Sequence, residues 1–206
     1  MRIRGFFQQV ADSAWRCRTQ GGFTLIELMV TLVVAGILLA VAVPSFTHTV
    51  VSNELSTAAN TYVAAIDQTR LQAIKRNLPA QFCSNLSNNN GNDALGGDCG
   101  SQAGAVYSQS ADGSAIQILS PPSLPASITL GNGSNGGAAL TALRYDTTGL
   151  ASTPTGSAPY TGLVADLYSA RLSTDNHRCI YLTTGSIVSS CVVTNACPAN
   201  APSNCR

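Results

Sequence analysis

The sequence predicts an α+β fold: a long N-terminal α-helix, membrane-embedded in its first half, packed on a small antiparallel β-sheet domain with disulfides. Three observations predict it. An apolar stretch from Leu28 to Val43, broken only by Thr31 and Gly36, runs into a helical pattern that continues past Pro44. Beyond Pro79 the pattern changes to short β-compatible runs between clusters of Gly, Asn, Ser and Pro. Six of the seven cysteines follow the apolar stretch.

Residues 1–22 read as a processing segment. Arg2, Arg4, Arg16 and Arg18 stand against Asp12, a net charge of +3 in a chain whose total is +1. The remainder is therefore at −2, which supplies no general basic field for nucleic acid. Basic residues before an apolar segment are the charge order of a leader left on the cytoplasmic side.

Residues 23–46 form the membrane and assembly half of the helix. Their apolar length is near the about 20 residues that cross a bilayer. A buried core helix or a cleaved secretory signal would also carry such a run, and Ala40 and Ala42 imitate a small-residue cleavage site. Glu27, inside the segment, argues against a secretory signal.

Residues 47–78 continue as an amphipathic half. Pro44 removes a helical hydrogen bond, so a kink is expected there. Leu55, Ala59, Tyr62, Ile66, Ala73 and Ile74 then fall near one face, with Asn53, Glu54, Asn60, Asp67, Lys75 and Arg76 on much of the rest. A helix from Thr24 to Arg76 would be roughly 80 Å long. Asn77, Leu78 and Pro79 end it.

Residues 79–206 form the β-rich domain. Strands are expected at Ala105–Tyr107, Ala115–Leu119, Ser127–Leu130, Leu143–Asp146, Leu163–Tyr168, His177–Thr183 and Ser186–Val193. Turn-rich clusters at Asn88–Gly91, Gly131–Gly137 and Pro154–Pro159 separate them. The last two strands form a hairpin about Thr184-Gly185, which places Cys179 near Ser190.

Removing the first 22 residues removes Cys17 and leaves an even set: Cys83, Cys99, Cys179, Cys191, Cys197 and Cys205. An even set suits disulfides in an oxidising compartment. Zinc is a poor alternative, because there is no CxxC pair and only two histidines. Six cysteines allow 15 pairings. Proximity along the chain and the hairpin favour 83–99, 179–191 and 197–205, the second needing a small bulge.

Gly22, Phe23, Thr24, Leu25, Ile26, Glu27 and Leu28 spell GFTLIEL after a basic leader and before an apolar helix. This resembles the processing site of the type IV prepilin family. The resemblance implies a type IV pilin fold, cleavage between Gly22 and Phe23 by a prepilin peptidase, and N-methylation of Phe23. It implies that Glu27 pairs with the N-terminal amine of a neighbouring subunit. A carboxylate near the centre of a membrane helix costs about 2.5–3.5 kcal/mol, less towards an end, so such a residue is a functional candidate by default.

Within that family, Asn53-Glu54-Leu55, the run from Thr69 to Arg76, and Arg178-Cys179-Ile180-Tyr181-Leu182 before Thr184-Gly185 resemble the GspH/FimT group. The resemblance implies a minor pilin that assembles with other pilins through its N-terminal helix. It would reside in the inner membrane with a periplasmic domain before joining an extracellular pilus. A FimU-like role in a tip or initiation complex, serving twitching motility or adhesion, is favoured. The alternatives are a DNA-binding competence pilin and a minor pseudopilin of type II secretion. DNA-binding members carry a basic GRxR motif where this chain has Gly185-Ser186-Ile187-Val188, so DNA is not a favoured partner. Arg171, His177, Arg178 and Arg206 are the residues that could still form a local DNA patch. No phosphate loop, nucleophile elbow or HExxH motif is present, so neither an enzyme nor a cofactor is expected.

Overall fold

The computed structural model describes residues 22–84, 90, 92–100, 102–131, 142–203 and 205. The chain forms two compact units, one ending at Val43 and one beginning at Pro44, three residues before the boundary expected from the sequence. Helix α1 (Leu25–Arg76) runs through both.

In the first unit, Thr24 caps the helix. Its carbonyl accepts from the Leu28 N–H at 3.2 Å and its hydroxyl accepts from the Glu27 N–H at 3.2 Å. The threonine with a glutamate three residues on is the sequence of a capping box. Every apolar side chain described in this unit is exposed, from Phe23 at 79% to Val43 at 57%. The helix is long and apolar enough to cross a membrane.

In the second unit, Val51, Leu55, Ala58, Ala59, Tyr62, Ala65, Ile66 and Ala73 are buried, at helical spacings of three, four and seven. Ile74, expected on this face, is 47% exposed. The helix closes with Asn77 at φ 53°. Asn77 N–H donates to the Ile74 carbonyl and Leu78 N–H to the Ala73 carbonyl, both at 3.3 Å. That is the Schellman pattern, with Asn in the left-handed position that glycine usually takes.

Two antiparallel sheets pack with this half of the helix. The first has the order β3 (Ala115–Leu119), β2 (Val106–Gln109), β1 (Ala80–Cys83), β5 (Ala142–Tyr145), β6 (Ala151–Ser152). The second has the order β4 (Thr129–Leu130), β7 (Gly162–Tyr168), β8 (His177–Thr183), β9 (Ile187–Val193). Phe82, Val106, Leu143 and Tyr145 from one sheet and Val164, Leu167, Ile180 and Leu182 from the other join the helix in one core. Tyr62 meets Phe82 edge to face, with ring centroids 5.7 Å apart.

Three elements went unpredicted. β1 and β6 are short, and β1 begins directly after a proline, where a turn was expected. α2 (Ala94–Cys99) contains Gly96 and Gly97, which weaken any helical signal. It forms because Asp93 caps it, accepting from the Gly96 N–H at 3.0 Å. Arg144 of β5 then grips Asp93 at 2.6 and 2.8 Å.

The β8–β9 hairpin also differs from expectation. Thr183 pairs with Ile187, so the loop has three residues, with Thr184 at φ 51° and Gly185 at φ 72°. The extra loop residue shifts the register by one, and Cys179 stands opposite Cys191 rather than Ser190.

Candidate functional site

Two places in the molecule carry the residues singled out from sequence. The first is the start of α1. Gly22 and Phe23 precede the helix, exposed and outside regular secondary structure. A side chain at position 22 would meet nothing within 4 Å. Glu27 is exposed in the first helical turn, where the helix dipole favours a carboxylate. Helical spacing thus places Glu27 one turn from the Gly22–Phe23 bond. The apolar surface behind it is exposed among the described residues of the chain.

The second place is the outer face of the second sheet. Alternation along the strands puts Asp166, Tyr168, His177, Cys179, Tyr181 and Cys191 on the side opposite the helix-facing Leu167, Arg178 and Ile180. The chain after β9 returns over this outer face. Tyr181 donates its hydroxyl to the Pro198 carbonyl at 2.7 Å, and Cys197 is fully buried beside it.

The disulfides follow from that return. Cys83 joins Cys99, the pairing expected from sequence, with Cα atoms 5.5 Å apart. The other two pairs are crossed relative to expectation. Cys179 joins Cys197 and Cys191 joins Cys205, at Cα separations of 5.6 and 4.8 Å, in place of 179–191 and 197–205. Cys179 and Cys191 are direct cross-strand neighbours, so their side chains leave the pleat side by side on one face. Both therefore point at the returning segment, and each bonds to it. In the chain-entropy picture each bridge is worth about 3 kcal/mol.

Among the described residues, the candidate DNA residues do not form a surface patch. His177 and Arg178 are each only 7% exposed, and successive strand positions put them on opposite faces of β8. His177 Nδ1 lies 2.7 Å from Asp166 Oδ1. Arg178 donates to the carbonyls of Asp175 and His177 and reaches Ser52 and Ser56 of α1. Arg171 is exposed, and Arg206 lies outside the described residues. Sequence reasoning missed the Asp166–His177 pair, because the two residues are 11 apart and only strand pairing joins them.

Comparison with known families gives two matches. Residues 17–43 match the prokaryotic N-terminal methylation motif. Residues 58–186, more than half of the chain, match type II transport protein GspH. No curated protein and no solved structure matches the chain.

Proposed function

Because the chain belongs to the type II transport protein GspH family and carries an N-terminal methylation motif, and is therefore a minor pilin or pseudopilin, we propose that it is a structural subunit of a type IV pilus, acting in its initiation or tip complex. The observation that carries the reading is the first unit. An unpartnered apolar helix begins with a capped turn that holds Glu27, directly behind an accessible Gly22–Phe23 bond.

The proposed course has three steps. The basic leader holds the precursor at the cytoplasmic face of the inner membrane. A prepilin peptidase cuts after Gly22, which frees the Phe23 amine for methylation. The apolar helix then leaves lipid for a bundle of pilin helices, where Glu27 meets the amine of a neighbouring subunit. The β-rich domain stays on the extracytoplasmic side, where its three disulfides are stable.

The burial of His177 and Arg178 weighs against a DNA-binding competence subunit. A pseudopilin of type II secretion remains the alternative that the family name itself carries.

Labelling of sheared filaments with gold-conjugated antibody tests the proposal. Gold at filament ends, with loss of surface pili when the gene is deleted, is the expected result. Normal pili in the deletion strain, with enzymes retained in the periplasm, would assign the chain to secretion instead.

A further inference from the structure

Asp166 and His177 have no part in the proposed assembly, yet they are buried, at 3% and 7% exposure. His177 Nδ1 lies 2.7 Å from Asp166 Oδ1. A carboxylate only accepts, so Nδ1 carries the proton and Nε2 of the neutral ring keeps a lone pair. Among the described residues, neither Nε2 nor Asp166 Oδ2 has a hydrogen-bond partner, and no lysine or arginine lies within ion-pair distance of the carboxylate. A buried anion without a cation is costly and calls for an explanation. Both residues line a cavity of about 340 Å³. Gly131 also lines it, and a Cβ there would collide with Asp166 Oδ2, so that oxygen faces the space glycine leaves. None of the fully enclosed unpartnered atoms of the described residues belongs to this pair, so Nε2 and Oδ2 are open to the cavity. The cavity therefore presents two acceptors and, in Asp166, a net negative charge.

We propose that this cavity binds an organic cation of the guanidinium class. A guanidinium is planar, permanently charged and weakly hydrated, and it spreads its N–H donors around one edge. It can therefore donate to the carboxylate and to Nε2 at once, although the two acceptors belong to different strands. Tyr168, also in the lining, stacks on the imidazole with ring centres 5.2 Å apart and planes 16° from parallel. The two rings give a planar cation a flat aromatic wall. Asn195, exposed at the rim, adds an amide oxygen. Cys197 is the remaining donor near the pair, and its sulfur is held in the bridge to Cys179, so the site offers a metal ion no thiolate. The occupant is either a free guanidino compound or the arginine side chain of a neighbouring protein, and both present the same head group.

The test uses the full chain in detergent with its disulfides intact and its two histidines, His48 and His177, isotope-labelled. Methylguanidinium is titrated in at mildly alkaline pH, where imidazoles are neutral, and the ring resonances are followed by NMR. The His177 signal should move and saturate with a single midpoint, while His48 stays in place. Urea, which has the same shape without the charge, should leave both unmoved. Asp166→Asn should raise the midpoint about tenfold or more, the scale of lost hydrogen bonds to a charged group. Gly131→Ala keeps both polar groups but crowds Oδ2, and it gives the same reading if Asp166→Asn does not fold. Free L-arginine binding more tightly than arginine capped at both ends would point to a solute, and the reverse order to a protein side chain. No saturable movement of His177, equal movement with urea, His48 moving in step, or an unchanged midpoint in the folded variants would each overturn the proposal. None of these outcomes bears on filament location, so the assembly reading stands or falls separately.

Discussion

Arg178 places a guanidinium inside the domain where, among the described residues, no carboxylate lies within ion-pair distance. Burial holds its pKa below the ordinary arginine range, and the charge of Asp175 opposes that shift. It is kept there by hydrogen bonds: to the Asp175 carbonyl at 2.7 Å, the His177 carbonyl at 3.2 Å, and Ser52 and Ser56 at 3.3–3.4 Å. The last two fasten β8 to α1. Arg178→Ala should therefore cost about 2–3 kcal/mol, the scale of lost hydrogen bonds to a charged group. Thermal unfolding of the chain in detergent reads this, and an unchanged midpoint would refute it. Asp93 offers a pH test. The Arg144 hydrogen bond, opposed by burial and helped by the Gly96 N–H, lowers its pKa below the usual carboxylate range. A depressed folded-state pKa stabilises above the unfolded value, about 3.9, and that contribution is lost as pH falls through the folded value. Amides of residues 94–99 should exchange faster as the medium is acidified below about pH 4. Asp93→Asn should flatten that dependence, and an equally steep acid response in the variant would show that another group causes it.

Among the elements, the β8–β9 loop shows how one residue redirects covalent structure. Gly185 N–H donates to the Tyr160 carbonyl at 2.9 Å, and its own carbonyl accepts from Ala151 N–H at 2.8 Å. The loop thus joins the hairpin of the second sheet to β6 of the first. Gly185 is at φ 72°, and a Cβ there would lie 3.0 Å from Pro159 Cβ and 3.2 Å from the Ala151 carbonyl oxygen. Gly185→Ala should cost about 1–3 kcal/mol through backbone strain, seen as a lower midpoint in denaturant. A neutral result would mean that the loop relaxes without loss. The strands themselves were largely legible: β3 and β8 occupy the ranges expected from alternation and turn signals. The disulfide partners of Cys179 and Cys191 were not. Centring a two-residue turn on Thr184-Gly185 puts the register off by one, and no spacing in the sequence reveals that a later segment lies on the same sheet face.

For the whole molecule, the separation into two units dictates which substitutions act on processing and which on folding. Gly22 has open space around it, so Gly22→Val has no steric cost in the folded chain. On the proposed function it should leave full-length precursor in the membrane with the β-rich domain folded. Immunoblotting by size checks this; an N-terminus mapped after Ala42 would mean a secreted protein instead. Glu27→Ala removes the carboxylate from the first turn of α1. The variant should insert in the membrane normally and be depleted from purified filaments, as quantitative mass spectrometry of sheared pili would show. Equal incorporation would remove the pairing role from Glu27.

The sequence by itself determined what is local or periodic. The basic leader, GFTLIEL and the apolar run announce the pilin-type helix, because charge order, helix length and a lone carboxylate are all properties of contiguous residues. The amphipathic spacing from Leu55 to Ala73 identifies the buried face for the same reason. Only the tertiary structure decided which cysteines meet on the outer sheet face, why Arg178 and His177 are buried rather than presented to a polyanion, and how Asp166 comes to lie against His177. Each of these depends on strand register and on the path of the C-terminal segment. Contacts between residues distant in sequence set both, and no window of sequence contains those contacts.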